Sequence, residues 1–215
     1  MCPNGCECNS ANLHAVKCES VALSDFPVLL DPRTRTLSLI DCGLQQLDVD
    51  ALDLYPDLEY LDLSHNNLTT IDGSLFAHLS KLRVLRLRGN HLTRISRGTF
   101  TGLSSLEVLD ISNNKVEVVE PSSMFELSRL RELDLSKNSL IRLIPGAFSG
   151  LSHLLQLDLS RNRLARIAPE PFSSIANVRQ INLSTNLIST VHICEFLSEF
   201  HLTNSATIFY GWWRG

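Results

Sequence analysis

The sequence predicts an α/β solenoid with a parallel concave β-sheet and a disulfide-capped N-terminus. Three observations predict it. A 24-residue period runs through most of the chain without a gap. Each period carries a Leu-x-Leu pair of the kind that forms a half-buried strand. Four of the six cysteines lie within the first 18 residues. Three segments follow: a cysteine-rich cap at 1–36, seven repeats at 37–202 and an atypical or truncated tail at 203–215.

In the cap, Cys2, Cys6, Cys8 and Cys18 are spaced Cys-x3-Cys-x-Cys-x9-Cys. Four cysteines allow three connectivities, and spacing does not choose among them. Four thiolates could also hold a tetrahedral zinc ion, although the usual Cys-x2-Cys knuckles are absent. A segment this small cannot bury a core of its own, so covalent staples would replace the missing burial. Leu23, Phe26, Pro27 and Leu30 form the run-in to the first repeat.

The repeat is clearest at Leu130, Leu133, Leu135, Asn138, Leu140 and Leu143. The first strand leucine recurs as Leu37, Leu61, Leu85, Leu109, Leu133, Leu157 and Ile181, each step 24 residues. A row of Leu52, Phe76, Phe100, Met124, Phe148, Phe172 and Phe196 marks the return side. One unit cannot bury its own apolar face, so the units must stack. The strands then line one side, and the wider return side makes the stack curve. Asn66, Asn90, Asn114, Asn138, Asn162 and Asn186 sit where the chain bends. An Asn amide there can bond backbone groups of its own and the next turn. Cys42 fills this place in the first unit.

The pattern Leu-x-x-Leu-x-Leu-x-x-Asn-x-Leu, with the Phe row after it, resembles the typical 24-residue leucine-rich repeat. The cysteine block resembles the N-terminal cap of extracellular members of that family. The resemblance covers about residues 1–202 and implies a right-handed leucine-rich-repeat horseshoe. It also implies the pairs Cys2–Cys8 and Cys6–Cys18. In relatives a cysteine-rich cap follows the last repeat; here Cys194 stands alone. Six periods of roughly 4.8 Å separate Cys42 from Cys194, too far for a bridge. Past Phe196 the frame decays: Ser205 stands where a strand leucine belongs, and both tryptophans, Trp212 and Trp213, lie beyond it. Either these aromatics fold onto the seventh unit or the end is truncated and packs poorly, and the decay of the frame favours the second.

The formal net charge is −4, from 19 basic and 23 acidic residues. That near balance gives no pull toward nucleic acid or acidic membranes. No apolar run reaches the length of a membrane span. Met1 is followed at once by Cys2 and Pro3, so no secretory signal is visible. The cysteines argue for export all the same, with the signal left out of this sequence. No phosphate-cradling glycine loop, nucleophile elbow or His-Glu-x-x-His occurs, and the seven histidines are scattered over different turns. The expectation is a non-enzyme without cofactor or metal.

Function therefore falls to the outward strand residues. The candidate partner-binding set is Tyr60, Asp62, Arg86, Arg88, Asp110, Glu132, Asp134 and Asp158. Arg86 falls between Asp62 and Asp110, which predicts a charge ladder. Asp110, Asp134 and Asp158 stack as like charges. Lys137 and Arg161, three residues after an Asp, would offset part of that cost. Arg83, Arg86, Arg88, Arg94 and Arg97 make the third unit locally basic, which suggests a glycosaminoglycan as a further partner. Two sequons, Asn67-Leu-Thr69 and Asn182-Leu-Ser184, are candidate glycosylation sites. The expected function is recognition of a protein ligand on the concave face, in adhesion, guidance or receptor signalling outside the cell or at its surface. The alternatives are a matrix protein that binds collagen or glycosaminoglycan, and a cytosolic scaffold.

Overall fold

The computed structural model describes residues 2–9, 14–23, 25–189 and 207–209. The chain opens on an antiparallel hairpin of β1 (Glu7–Asn9) and β2 (Ala15–Glu19). β2 then pairs in parallel with β3 (Thr36–Ile40), which begins the array. After β3 the first return side forms a short helix, α1 (Val49–Asp53), capped by the Asp48 carboxylate, which accepts from the Asp50 amide. The strands that follow are β4 (Tyr60–Asp62), β5 (Val84–Arg86), β6 (Arg94–Ile95), β7 (Val108–Asp110), β8 (Val118–Val119), β9 (Glu132–Asp134), β10 (Gln156–Asp158), β11 (Gln180–Asn182) and β12 (Thr207–Phe209).

Ten of these strands make one sheet, in the order β1-β2-β3-β4-β5-β7-β9-β10-β11-β12. From β3 to β11 every pairing is parallel, and Leu37 faces Leu61, Leu61 faces Leu85, and so on one period at a time. The chain is thus a parallel-strand solenoid. A second sheet of only two strands, β6 and β8, lies after the Asn bends of the third and fourth units. Among the described residues the helical content of the return side is small: α1 and one 3-10 turn at Glu170–Phe172.

The repeated rows form one continuous core. Leu61, Leu85 and Leu109 on the strands, and Phe76, Phe148 and Phe172 on the return side, are fully buried. Each such side chain contributes about 2 kcal/mol of burial free energy, realised only when a neighbouring turn covers it. Phe148 and Phe172 meet at 5.7 Å between ring centroids, so the aromatic row is itself a stack.

The asparagines close the backbone account. Asn138 Nδ2 donates to Leu135 O of its own unit at 3.1 Å and to Ile111 O at 3.0 Å, and its Oδ1 accepts from the Val116 amide at 2.9 Å. The neighbouring turn is therefore the preceding one, not the next. The strands explain the direction: the inward carbonyls after Leu135 and Ile111 lie beside the amide, and the amide of Val116 begins the next apolar stretch. Cys42 repeats the pattern weakly, with its thiol 3.6 Å from Cys18 O. The Cys42 thiol is buried, and burial pushes its pKa up.

The bend also carries a signature absent from the apolar rows. Asp41, His65, Gly89, Asn113, Lys137, Arg161 and Thr185, one period apart, all have φ between 53° and 70°. This is the left-handed region, uncommon for side chains with a Cβ and most costly for a β-branched residue such as Thr185. At Gly89 there is a second constraint: a Cβ would come within 2.7 Å of His65 Nδ1.

The cap is stapled by Cys2–Cys8 and Cys6–Cys18, with Cα separations of 5.9 and 4.4 Å. It joins the array through the sheet and through Tyr55. The Tyr55 hydroxyl donates to Pro27 O at 2.8 Å and accepts from the Leu30 amide at 3.3 Å, and its ring meets Phe26 at 6.3 Å. At the other end the frame shifts rather than stops. Ile208 pairs opposite Ile181, so the last described step is 27 residues, and Ile208 packs partly buried against the core. Cys194, Phe196, Trp212 and Trp213 lie outside the described residues.

Candidate functional site

The outward strand positions border a concave groove of about 660 Å³. Alternation fixes what faces it. Within each strand the leucine turns inward and its two neighbours turn outward, so the groove floor is set by two residues per turn. Its floor runs from Asp62 and Arg86 through Asp110, Glu132 and Asp134 to Asp158, Asn182 and, on β12, Phe209.

Most of the middle row has a structural duty. The Oδ1 atoms of Asp62, Asp110, Asp134 and Asp158 each accept from the backbone amide two residues later, that of Ser64, Ser112, Ser136 and Ser160, at 2.8–3.0 Å. Asn182 does the same to Ser184 at 3.1 Å. The Leu-Asp-Leu-Ser sequence is thus a turn device that ends each strand. What remains for a partner is the second carboxylate oxygen.

Those second oxygens are not equivalent. Asp62 Oδ2 receives the Tyr60 hydroxyl at 3.1 Å and lies 3.8 Å from Arg86 Nη1, and the residue is buried. The Arg86 guanidinium also sits 5.6 Å above the Tyr60 ring. Tyr60, Asp62 and Arg86 therefore form one satisfied cluster; burial, then the Asp62 charge, raises the Tyr60 pKa. Asp158 Oδ2 accepts from Asn182 Nδ2 at 2.9 Å. Asp110 and Asp134 make no side-chain bond to a neighbouring turn among the described residues, the Ser136 side chain bonding Asp134 within its own turn, and both lie beside the exposed Glu132. Burial, and after it the charges of Asp110 and Asp158, raises the Asp134 pKa.

Several sequence expectations change here. The ladder of alternating charge is half formed: Arg86 pairs with Asp62, and no ion pair joins it to Asp110 among the described residues. Lys137 and Arg161 do not offset the acidic row. Neither forms an ion pair with it among the described residues, and neither borders the groove, although His65 at the same left-handed bend does. Arg88 is exposed at the groove edge as expected. Of the basic cluster in the third unit, Arg83 is held by Glu107 at 2.8 Å, Arg86 by Asp62 and Arg94 by Glu120 at 3.9 Å. Asn67 is exposed, whereas the amide nitrogen of Asn182 is the one bonded to Asp158. Among the described residues no cluster of three or more metal-ligating side chains occurs, and no helix is long and apolar enough to cross a membrane.

Comparison with known proteins agrees with this geometry. A profile of the leucine rich repeat family matches residues 32–92, 80–140 and 128–188. The chain belongs to the leucine rich repeat family. Leucine-rich repeat-containing protein 3 of Danio rerio is 33% identical over 81 residues, which is 37% of this chain and 30% of that protein. The solved structure of a TLR13–ssRNA13 complex superposes with a TM-score of 0.72 at 32% identity, over 76% of this chain and 24% of that one. The chain thus spans less than a third of the length of either relative. Its repeats share the parallel-strand solenoid fold of that Toll-like receptor structure.

Proposed function

We propose that this chain is a non-catalytic recognition module, outside the cell or at its surface, that binds a basic segment of a protein partner on its concave face. The observation that carries the reading is the open carboxylate edge of Asp110, Glu132 and Asp134 at the centre of the groove. Every leucine around them is committed to the core, and Asp62 and Asp158 are committed to neighbours. The central acidic patch and Arg88 supply the charged groups left to select a ligand, beside the exposed Gln156, Gln180 and Phe209. The two disulfides support an oxidising compartment and weigh against a cytosolic scaffold. Adhesion, guidance and receptor roles all use such a face.

The TLR13 structure contains single-stranded RNA. The acidic patch here would repel a phosphate backbone, so a protein ligand is the reading this groove favours. A test is a binding screen of this chain against secreted and cell-surface ectodomains, followed by the variant Asp110→Asn/Glu132→Gln/Asp134→Asn. Asparagine keeps Oδ1 and the turn bond while removing charge, as Asn182 already shows. A partner that binds the concave face loses affinity in the variant and in raised salt. A partner that binds the variant with full affinity sinks the proposal.

A further inference from the structure

Lys137, Arg142, Arg161, Arg163 and Arg166 follow the strands of the fifth and sixth units, Lys137 and Arg161 on the left-handed bend and the three others between it and the return side. All five are exposed, and none borders the concave groove. They are aligned by the backbone. The Lys137 amide donates to Ser160 O, the Arg161 amide to Ser184 O and the Arg163 amide to Leu140 O, each at 2.9 Å. Residues one period apart therefore stack in register, which sets Lys137 over Arg161 and Arg142 over Arg166. Turns rise by about 4.8 Å, well inside the screening length of roughly 8 Å at physiological salt. Like charges that close repel and cost stability.

Among the described residues none of the five forms an ion pair with a carboxylate. From 135 to 169 the only acidic residue is Asp158, and both of its oxygens are taken by Ser160 and Asn182 within the concave strand. The opposite flank, before the strands, shows the other arrangement. There Arg35 meets Glu59, Asp57 meets Lys81 and Arg83 meets Glu107, each pair one period apart. The repeat spacing thus places a carboxylate beside a cation on one flank, and in the fifth and sixth units of the other it places cation beside cation, whereas Arg94 in the third unit of that flank is paired with Glu120.

We infer that this flank is a second binding surface, separate from the concave groove, for a sulfated polysaccharide. A linear polyanion would supply negative groups along the stack and remove the repulsion. Guanidinium forks match sulfate oxygens in pairs, and four of the five cations are arginine. Among the described residues the exposed large apolar side chains on this flank are Val118, Ile141 and Leu187, all aliphatic, which offer bases no aromatic platform. The third unit, more basic by sequence, is the weaker candidate because three of its arginines are already paired.

The experiment measures binding of the whole chain to a heparin octasaccharide, to its desulfated form and to single-stranded RNA of matched charge, at physiological salt. Two variants are compared: Arg142→Gln/Arg163→Gln/Arg166→Gln on the flank, and Lys17→Gln/Arg33→Gln/Arg35→Gln at the N-terminal end, which removes the same charge. All six positions are exposed, and far-UV circular dichroism checks the fold. The expected result is binding to the sulfated form alone, weakened roughly tenfold by the flank variant and unchanged by the control, the order that loss of three exposed charge contacts gives. Absence of octasaccharide binding overturns the inference. So does equal weakening by the control, which would mean attraction to bulk charge. RNA bound as tightly as the sulfated sugar overturns it in favour of a nucleic-acid surface.

Discussion

Asp134 is where the demands of folding and recognition conflict. Its Oδ1 ends a strand by accepting from Ser136, and its Oδ2 faces the groove between two other carboxylates. Burial, then Asp110 and Asp158, lifts its folded-state pKa above the ordinary carboxylate value. Ionisation therefore costs stability. Below the ordinary value the group is protonated folded or unfolded, and the penalty is absent. As pH rises past that value and through the folded pKa, the penalty sets in and remains at neutral pH. Asp134→Asn keeps the turn bond and removes the penalty. It should raise the melting temperature at neutral pH and leave it unchanged near pH 3. Thermal melts at the two pH values check this, and equal effects at both would show that charge is not the cause. A carboxylate held at such a cost fits a ligand-binding role. At this scale alternation, a local property, placed seven of the eight candidate residues along the groove, and Tyr60 is not among those that border it. The sequence did not reveal that Asp62 and Asp158 are spent on Tyr60 and Asn182, because those bonds depend on rotamers and on the neighbouring turn.

Elements were legible to the degree that they repeat. Strand positions, the buried Phe row and the Asn ladder follow from a fixed period and from the need to cover each apolar face. The left-handed bend did not follow, because Asp41, His65, Lys137, Arg161 and Thr185 share a backbone angle without sharing chemistry. The junction of cap and array was missed for the opposite reason: Tyr55 stands in a leucine row, paired by position with Leu79 and Leu103, and its hydroxyl is the informative departure. That hydroxyl satisfies Pro27 O and the Leu30 amide in a segment with no strand of its own. Tyr55→Phe preserves the contact with Phe26 and removes both bonds. It should cost about 1–2 kcal/mol, mostly the desolvation of the orphaned backbone groups. Hydrogen exchange at Leu30 should quicken while the amides of β7 to β10 keep their protection; unaltered exchange at Leu30 would mean the hydroxyl does not hold the run-in.

A stack that interacts only through neighbours is most exposed at its ends, and the two ends of the described array differ. At the N-terminus two disulfides hold an exposed hairpin against β3. At the C-terminus the sheet continues to β12, where Ile208 covers Ile181 after a step of 27 residues. The 24-residue frame pointed to Ser205 instead, since a period cannot announce its own interruption. If β12 acts as an end cover, Ile208→Ala should cost about 1 kcal/mol, the amount for a half-buried side chain that loses most of its apolar contact. Reduction of the disulfides should cost about 2–3 kcal/mol per bridge at the other end. Nine strand pairings separate β1 from β12, so no residue at one end touches the other. The two losses should then add to within about 0.5 kcal/mol in denaturant unfolding. A melting point unchanged by Ile208→Ala would remove β12 from the fold's support, and a loss far from additive would mean that the ends are coupled through the whole array.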